Sequence, residues 1–166
     1  MKKLVKIFLG VTLVLFFFNA CKKKEVTEPI KTTKQYLTAD TSKRWKLSEG
    51  KASLDGAELD LMLVQAPCVT DNILILSSDF KYQITEGNQK CKPDTDPDVL
   101  IAGNWALSTD SKSITIDKFI VLDRVVDKAK FDITTIDDNK FTGTTEVTIN
   151  SKLVKMNVTF VAVDNV

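Results

Sequence analysis

The residues able to do chemistry in this 166-residue chain are few, and their types narrow the field at once. There is no histidine, which excludes Ser-His-Asp and Cys-His catalysis and removes the commonest metal ligand. Three cysteines stand far apart, Cys21, Cys68 and Cys91, with no Cys-x-x-Cys pair among them. Carboxylates are plentiful but scattered: Glu58, Asp60, Asp79, Asp117, Asp123 and Asp127 fall at no spacing diagnostic of a general acid–base pair. The run Asp94-Thr95-Asp96-Pro97-Asp98 has the alternation of a calcium loop. An EF-hand loop counted from Asp94 needs glycine sixth and glutamate twelfth, however, and this chain has Val99 and Trp105 there. The run reads as a solvated acidic turn, built from residues that favour turns through local hydrogen bonds. With no nucleophile–base pair in view, we expect no enzyme activity, no cofactor and no resident metal. What remains is thiol chemistry, either acylation or disulfide formation.

The surroundings of the cysteines separate those two. The first 20 residues hold Lys2, Lys3 and Lys6 and no acid; an uncharged run of 12 residues, 7–18, follows the lysines, and Asn19 and Ala20 lead into Cys21. Positive, then apolar, then small is the order of a secretory signal. A span of the hydrocarbon core needs about 20 apolar residues, so the run is too short for an uncleaved anchor. Phe18-Asn19-Ala20-Cys21 resembles a lipobox, where the lipoprotein signal peptidase cuts ahead of a diacylated cysteine. Ala20 and Cys21 match it, and Phe18 stands where leucine is usual. The resemblance implies that Cys21 becomes a thioether to diacylglycerol and ties the protein to a membrane. Each buried CH2 contributes about 0.8 kcal/mol, and two chains give the stable anchoring that one does not. Lys22, Lys23 and Lys24 add attraction to anionic headgroups. The expected placement is the bacterial envelope, lipid-anchored at the outer membrane and facing the periplasm or the outside. The expected organisation is a lipoprotein signal peptide over 1–20, a flexible tether over 21–42 and one β domain over 43–166.

With Cys21 acylated, Cys68 and Cys91 are an even pair in an oxidising compartment, and such a pair reads as one disulfide. It closes a loop of roughly two dozen residues, worth about 3 kcal/mol in the chain-entropy model. A metal pair would want histidine or a Cys-x-x-Cys spacing. The chain has 23 Lys+Arg and 22 Asp+Glu; the leader takes three of the positives, leaving 20 against 22. A near-neutral body without a clustered basic face is not built for nucleic acid.

The elements that must position these residues are read from turn signals and from period-two alternation. Residues 22–41 are polar, contain Pro29 and read as tether, with a helical turn open over 34–39. From Lys43 onward, short β-branched and aromatic runs alternate with Gly, Asn, Asp and Ser. Strands are predicted at 45–47, 72–76, 81–85, 104–107, 113–117, 130–136, 141–149 and 153–162. Residues 59–64 read as a strand or an irregular entry to Pro67-Cys68, and 119–126 as a strand or a short helix. In the last strand Val154, Met156, Val158 and Phe160 share one face while Lys155, Asn157 and Thr159 share the other, so one face is buried and one wet. No segment carries a sustained helical stripe. Eight or nine short strands with tight turns predict a meandering antiparallel barrel or sandwich.

A family resemblance sharpens this. Trp45-Lys46-Leu47 opens the domain; Pro67-Cys68 and Asp71 precede the strand at 72–76. Ser78-Asp79-Phe80-Lys81-Tyr82, Gly87, Lys90-Cys91 and Pro93 follow, and Gly103-Asn104-Trp105-Ala106-Leu107-Ser108 closes the set before the strand at 113–117. In this order the residues resemble the lipocalin-like domains of lipoproteins from Bacteroidota-type bacteria, over about half of the mature chain. The resemblance implies an all-β fold, a meandering antiparallel eight- or nine-stranded lipocalin-like barrel or half-barrel. Secreted true lipocalins carry Gly-x-Trp on the first strand. Here that strand has Lys43-Arg44-Trp45, and Gly-x-Trp lies at Gly103–Trp105. The resemblance thus speaks to the barrel more than to a ligand cavity, and a fold alone does not confer function.

Two functional readings follow. In the first, favoured by the resemblance, a membrane-anchored barrel holds a small apolar or amphipathic ligand. It predicts a cavity of about 300 Å3 or more, apolar with a few polar groups. In the second, the protein is a structural or protein-interaction lipoprotein of the envelope, with a packed interior and an exposed apolar patch or sheet edge. Trp45, Trp105, Tyr82 and Phe80 are read as core rather than pocket wall, because each buries about 150–250 Å2. Met62 and Met156 are read the same way.

Overall fold

The computed structural model describes residues 30–122, 124–149 and 151–164. The leader, Cys21 and most of the expected tether lie outside the described residues, as does Asp123. The chain opens with a short helix, α1 (Thr33–Thr38). It is started by a capping box: the Thr32 hydroxyl accepts from the Gln35 amide, and the Gln35 carboxamide accepts from the Thr32 amide. β1 (Ser42–Leu54) and β2 (Ala57–Asp60) form a hairpin. Two single-turn helices follow, α2 (Leu61–Val64) and α3 (Pro67–Thr70). The remainder is a meander: β3 (Ile73–Ser77), β4 (Lys81–Thr85), β5 (Val99–Leu107), β6 (Ser113–Val121), β7 (Arg124–Ile136), β8 (Lys140–Ile149) and β9 (Lys152–Val163).

From β3 to β9 each strand pairs antiparallel with the next, and β1 closes the ring. One edge of β1 takes β3, with Trp45 opposite Leu74, and the other takes β9, with Trp45 opposite Ala162 and Ala52 opposite Met156. The result is a closed eight-stranded antiparallel barrel with β2 as one extra strand, so the half-barrel alternative falls away. Closure pairs the edges that an open sheet would present.

The alternation predicted for the last strand is the one observed. Val154, Met156, Val158 and Phe160 are buried, while Lys155 and Asn157 face out. Phe141, Thr145 and Val147 of β8 turn inward in the same way. Thr159, expected on the wet face, is buried as well, because its hydroxyl lies against Glu49 and Thr142. Aromatic rings knit the interior: Trp45 meets Phe141 edge-on at 4.8 Å, and Phe141 stacks on Phe160 at 4.8 Å.

Three segments depart from the sequence reading. The compact unit begins at Lys31 rather than Lys43. Leu37 of α1 is fully buried, and the Trp45 indole N–H donates to its carbonyl at 2.9 Å. Six residues are too few to display a helical stripe, so nothing in the pattern marked this helix as part of the body. Residues 119–126 are neither one strand nor a helix but a hairpin, with Val121 opposite Arg124. No Asn-Gly or Asp-Gly marks the reversal; Leu122 itself takes the positive φ of 47°. Finally, 59–64 is split between the end of β2 and α2. Asp60 caps α2 by accepting from the Met62 amide at 2.9 Å.

Candidate functional site

Both ends of the barrel are covered, by different means. At one end, where β1 begins and β3–β4, β5–β6 and β7–β8 turn, α1 seals the opening with Leu37. At the other end the chain leaves β2 and crosses the mouth as residues 61–70, which hold α2 and α3. We refer to this stretch as the lid.

Three contacts seat the lid. Leu61 is buried, and it fits because residue 50 is glycine: a Cβ there would lie 2.8 Å from Leu61 Cδ1 and 3.0 Å from its Cβ. The Gln65 carboxamide oxygen accepts from the backbone N–H of Leu122 at 3.1 Å, joining the lid to the β6–β7 hairpin. Cys68 of α3 is disulfide-bonded to Cys91, as expected from the sequence, and this ties the lid to the 86–98 loop. Beyond α3, Asp71 accepts from the Gln89 amide at 2.9 Å. Gly87 lies so close to it that a Cβ would sit 2.2 Å from the Asp71 carbonyl oxygen.

Beneath the lid is a cavity of about 50 Å3. Its walls include Leu47, Leu74, Phe119, Phe131, Val158 and Phe160, and Leu61 forms part of its roof. Among the described residues that line it, only Gln65 and Asn72 are polar. Asn72 Oδ1 is buried and has no hydrogen-bond partner among the described residues. A buried amide oxygen left so is a cost of about 1–3 kcal/mol that a ligand donor can relieve. The space exceeds the roughly 10–15 Å3 that one water requires. It is far below the roughly 300–1,000 Å3 of a drug-sized site, so it falls short of the volume expected from the first functional reading.

The aromatic residues singled out in the sequence stand elsewhere. Trp45, Trp105 and Tyr82 are buried core, and none of them lines the cavity. The Trp105 indole donates to the Ser77 carbonyl at 3.0 Å. The Tyr82 hydroxyl donates to the Lys118 carbonyl at 2.7 Å and accepts from the Lys118 amide at 3.0 Å. Burial pushes the Tyr82 hydroxyl above the ordinary phenol range. Phe80, also read as core, is 41% exposed instead. It occupies a turn at φ 65°, tilts against Trp105 and carries the Lys34 ammonium over its face at 4.3 Å. The aromatic wall of the cavity is Phe119, Phe131 and Phe160, with centroids 5.1–6.4 Å apart. Sequence reasoning put Phe160 on the buried face of the last strand but singled out none of the three as cavity wall. Inward alternation of Phe131 with Ala129 and Phe160 with Val158 was the signal available. Met156 lines the cavity, whereas Met62 sits half-buried in the lid.

The carboxylates are mostly given structural tasks. Asp60 caps α2, Asp79 accepts from the Lys81 amide, and Asp117 accepts from the Asn104 backbone and side chain. The acidic run 94–98 folds around Lys90, whose ammonium donates to Asp98 at 2.6 Å and to the Asp96 carbonyl at 3.1 Å. That hydrogen bond holds the Asp98 carboxyl below its usual range. Glu86, beside the lid, behaves oppositely. Burial, and then the charges of Asp96 and Asp71, raise its carboxyl above the usual range. Among the described residues no group of three or more Cys, Asp or Glu is placed to hold a metal ion.

No family model matches this chain, and no curated protein matches it.

Proposed function

We propose that this protein is a membrane-anchored lipoprotein of the bacterial envelope whose lipocalin-like barrel binds a small amphipathic ligand under the lid. One observation carries the binding half of the reading: a small apolar cavity under the lid that Asn72 lines, with the Asn72 Oδ1 buried and without a partner among the described residues. Ligand sites combine an apolar wall with a few placed polar groups in this way. The leader and the lipobox-like Phe18–Cys21 support the anchoring half. Two measurements test the reading. Radiolabelled palmitate is expected to enter the wild type and not Cys21→Ser. Full-length acylated protein in lipid nanodiscs, titrated with medium-chain amphiphiles, is expected to show methyl NMR shifts at Leu74, Ile84 and Val158. Methyls that stay unmoved at saturating amphiphile would end the binding half.

A second reading has its own observation. Leu63 is 82% and Val64 51% exposed on the outer side of the lid. An interaction lipoprotein presents such a patch. Unmoved cavity methyls, combined with a photo-crosslinker at position 63 that joins one envelope protein reproducibly, would favour it.

A further inference from the structure

The two halves of the lid are held by unequal means. The α3 half is fixed covalently by Cys68–Cys91 and braced by Asp71, through its Gln89 hydrogen bond and its contact with Gly87. Among the described residues the α2 half meets the barrel through the Leu61 plug and one side-chain hydrogen bond, between Gln65 and the Leu122 amide. Between the halves Gln65 and Ala66 are extended, at φ −95°, ψ 150° and φ −63°, ψ 145°, ahead of Pro67. On its other side α2 follows β2, four residues that are exposed along their length. Segments with few buried contacts and solvent-exposed backbone are the ones that open locally.

The lining also limits what can enter. No charged side chain faces the cavity among the described residues. A carboxylate or ammonium there would be buried without a counter-charge, at a cost of several kcal/mol. Asn72 and Gln65 present neutral amides. A hydroxyl both donates and accepts, so it satisfies Asn72 in either orientation of the amide. The rest of the wall accepts methylene groups only.

Resting on the binding reading above, we propose that residues 61–65 are a gate hinged at Gln65–Ala66 and that the ligand admitted is a neutral, single-chain alcohol. Leu61 swings out, the alkyl chain takes its place against Leu74 and Phe119, and the hydroxyl bonds Asn72. The disulfide keeps the other side of the gate in place during opening. Gly50 is the seat of the plug, and a methyl group there holds Leu61 away from the closed position.

The test uses full-length acylated protein in nanodiscs, followed by methyl NMR and titrated with 1-decanol, decanoate and decane at pH 8. Decanol is expected to bind at least about tenfold more tightly than decanoate, with Leu61 among the shifted methyls. Asn72→Leu, of similar size, is expected to lose the preference for decanol over decane; should that variant not fold, Asn72→Ala is measured in its place. Gly50→Ala is expected to speed decanol entry severalfold while the same methyls respond. Equal binding of decanol and decanoate, or an alcohol preference that survives at position 72, overturns the ligand class. An entry rate unchanged in Gly50→Ala overturns the gate. If none of the three compounds shifts any cavity methyl, the underlying binding reading fails instead, and that result is distinct from the other two.

Discussion

The two ends of the barrel close in contrasting ways. At the α1 end most polar atoms are spent on one another, with Arg44 Nε of β1 the one buried there without a partner among the described residues. The Trp45 indole donates to Leu37, the Thr38 hydroxyl donates to the Lys34 carbonyl, and the capping box satisfies the start of the helix. The Lys43 ammonium lies 4.6 Å over the Trp45 ring and donates to the Tyr36 carbonyl. At the lid end Asp71 Oδ1, Asn72 Oδ1 and Glu86 Oε2 are buried and have no partner among the described residues. Large apolar side chains of the lid face solvent there, and a cavity remains beneath it. Folded chains tolerate such unsettled polar groups mainly where function needs them. On the proposed binding reading, the α1 end is a foundation and the lid end a working face.

The contrast breaks most visibly at Trp45. Trp45→Ala removes a fully buried ring, its indole hydrogen bond and its edge contact with Phe141. Such truncations cost about 3–5 kcal/mol. We expect a matching drop in denaturant midpoint and loss of amide protection across the whole barrel. A variant that loses protection only near α1 would mean that this end is not the foundation. The paired change Cys68→Ser with Cys91→Ser comes next, at about 3 kcal/mol from the freed loop. Its signature is local: hydrogen exchange is expected to accelerate first over 61–70 and 86–98, with the α1 end unaffected. Uniform acceleration would deny the lid any independence.

The same contrast explains what could be read in advance. β8 and β9 were legible because each alternates cleanly against one wet and one dry face, as Phe141–Thr145–Val147 and Val154–Met156–Val158–Phe160 do. The disulfide was legible because two thiols remained once Cys21 was assigned to lipid. The working face was not. The 119–126 run is apolar on both arms of a hairpin, so its period is hidden and its reversal rests on Leu122, a residue with no turn signature. The plug is a leucine in a four-residue helix, and its importance lies in Gly50, eleven positions away in sequence. Packing of that kind is set by tertiary contact and leaves no local pattern. The cavity wall was missed for a similar reason. Attention fell on Trp45, Trp105 and Tyr82, which the resemblance covered, while Phe119, Phe131 and Phe160 lie beyond it.

The smallest expected effect, and the finest comparison, is with pH. Glu86 at the lid end is raised above its ordinary 4.5, first by burial and then by Asp96 and Asp71, with Lys90 opposing. Asp137 and Asp110, in turns at the α1 end, are lowered below their ordinary 3.8. Asp137 accepts from the Asn139 and Lys140 amides, and Asp110 accepts from the Ser108 hydroxyl and the Lys112 amide. The signs differ. A raised carboxyl binds its proton more readily folded than unfolded, so ionised Glu86 detracts from stability at neutral pH. That penalty is relieved as pH falls through its folded value towards about 4.5. The lowered pair contribute stability above about pH 3.8 and lose it only below that, as pH falls through their folded values. As pH falls from neutral towards about 4.5, protection factors at the lid end, corrected for intrinsic exchange, are therefore expected to rise while those at the α1 end hold. Glu86→Gln is expected to flatten the rise. The nearby Asp98 does not cancel it, since its Lys90 hydrogen bond keeps that carboxyl ionised across the same range. If Glu86 titrates at or below Asp137 in a carboxyl NMR titration, the two ends do not differ electrostatically, and the contrast would rest on packing alone.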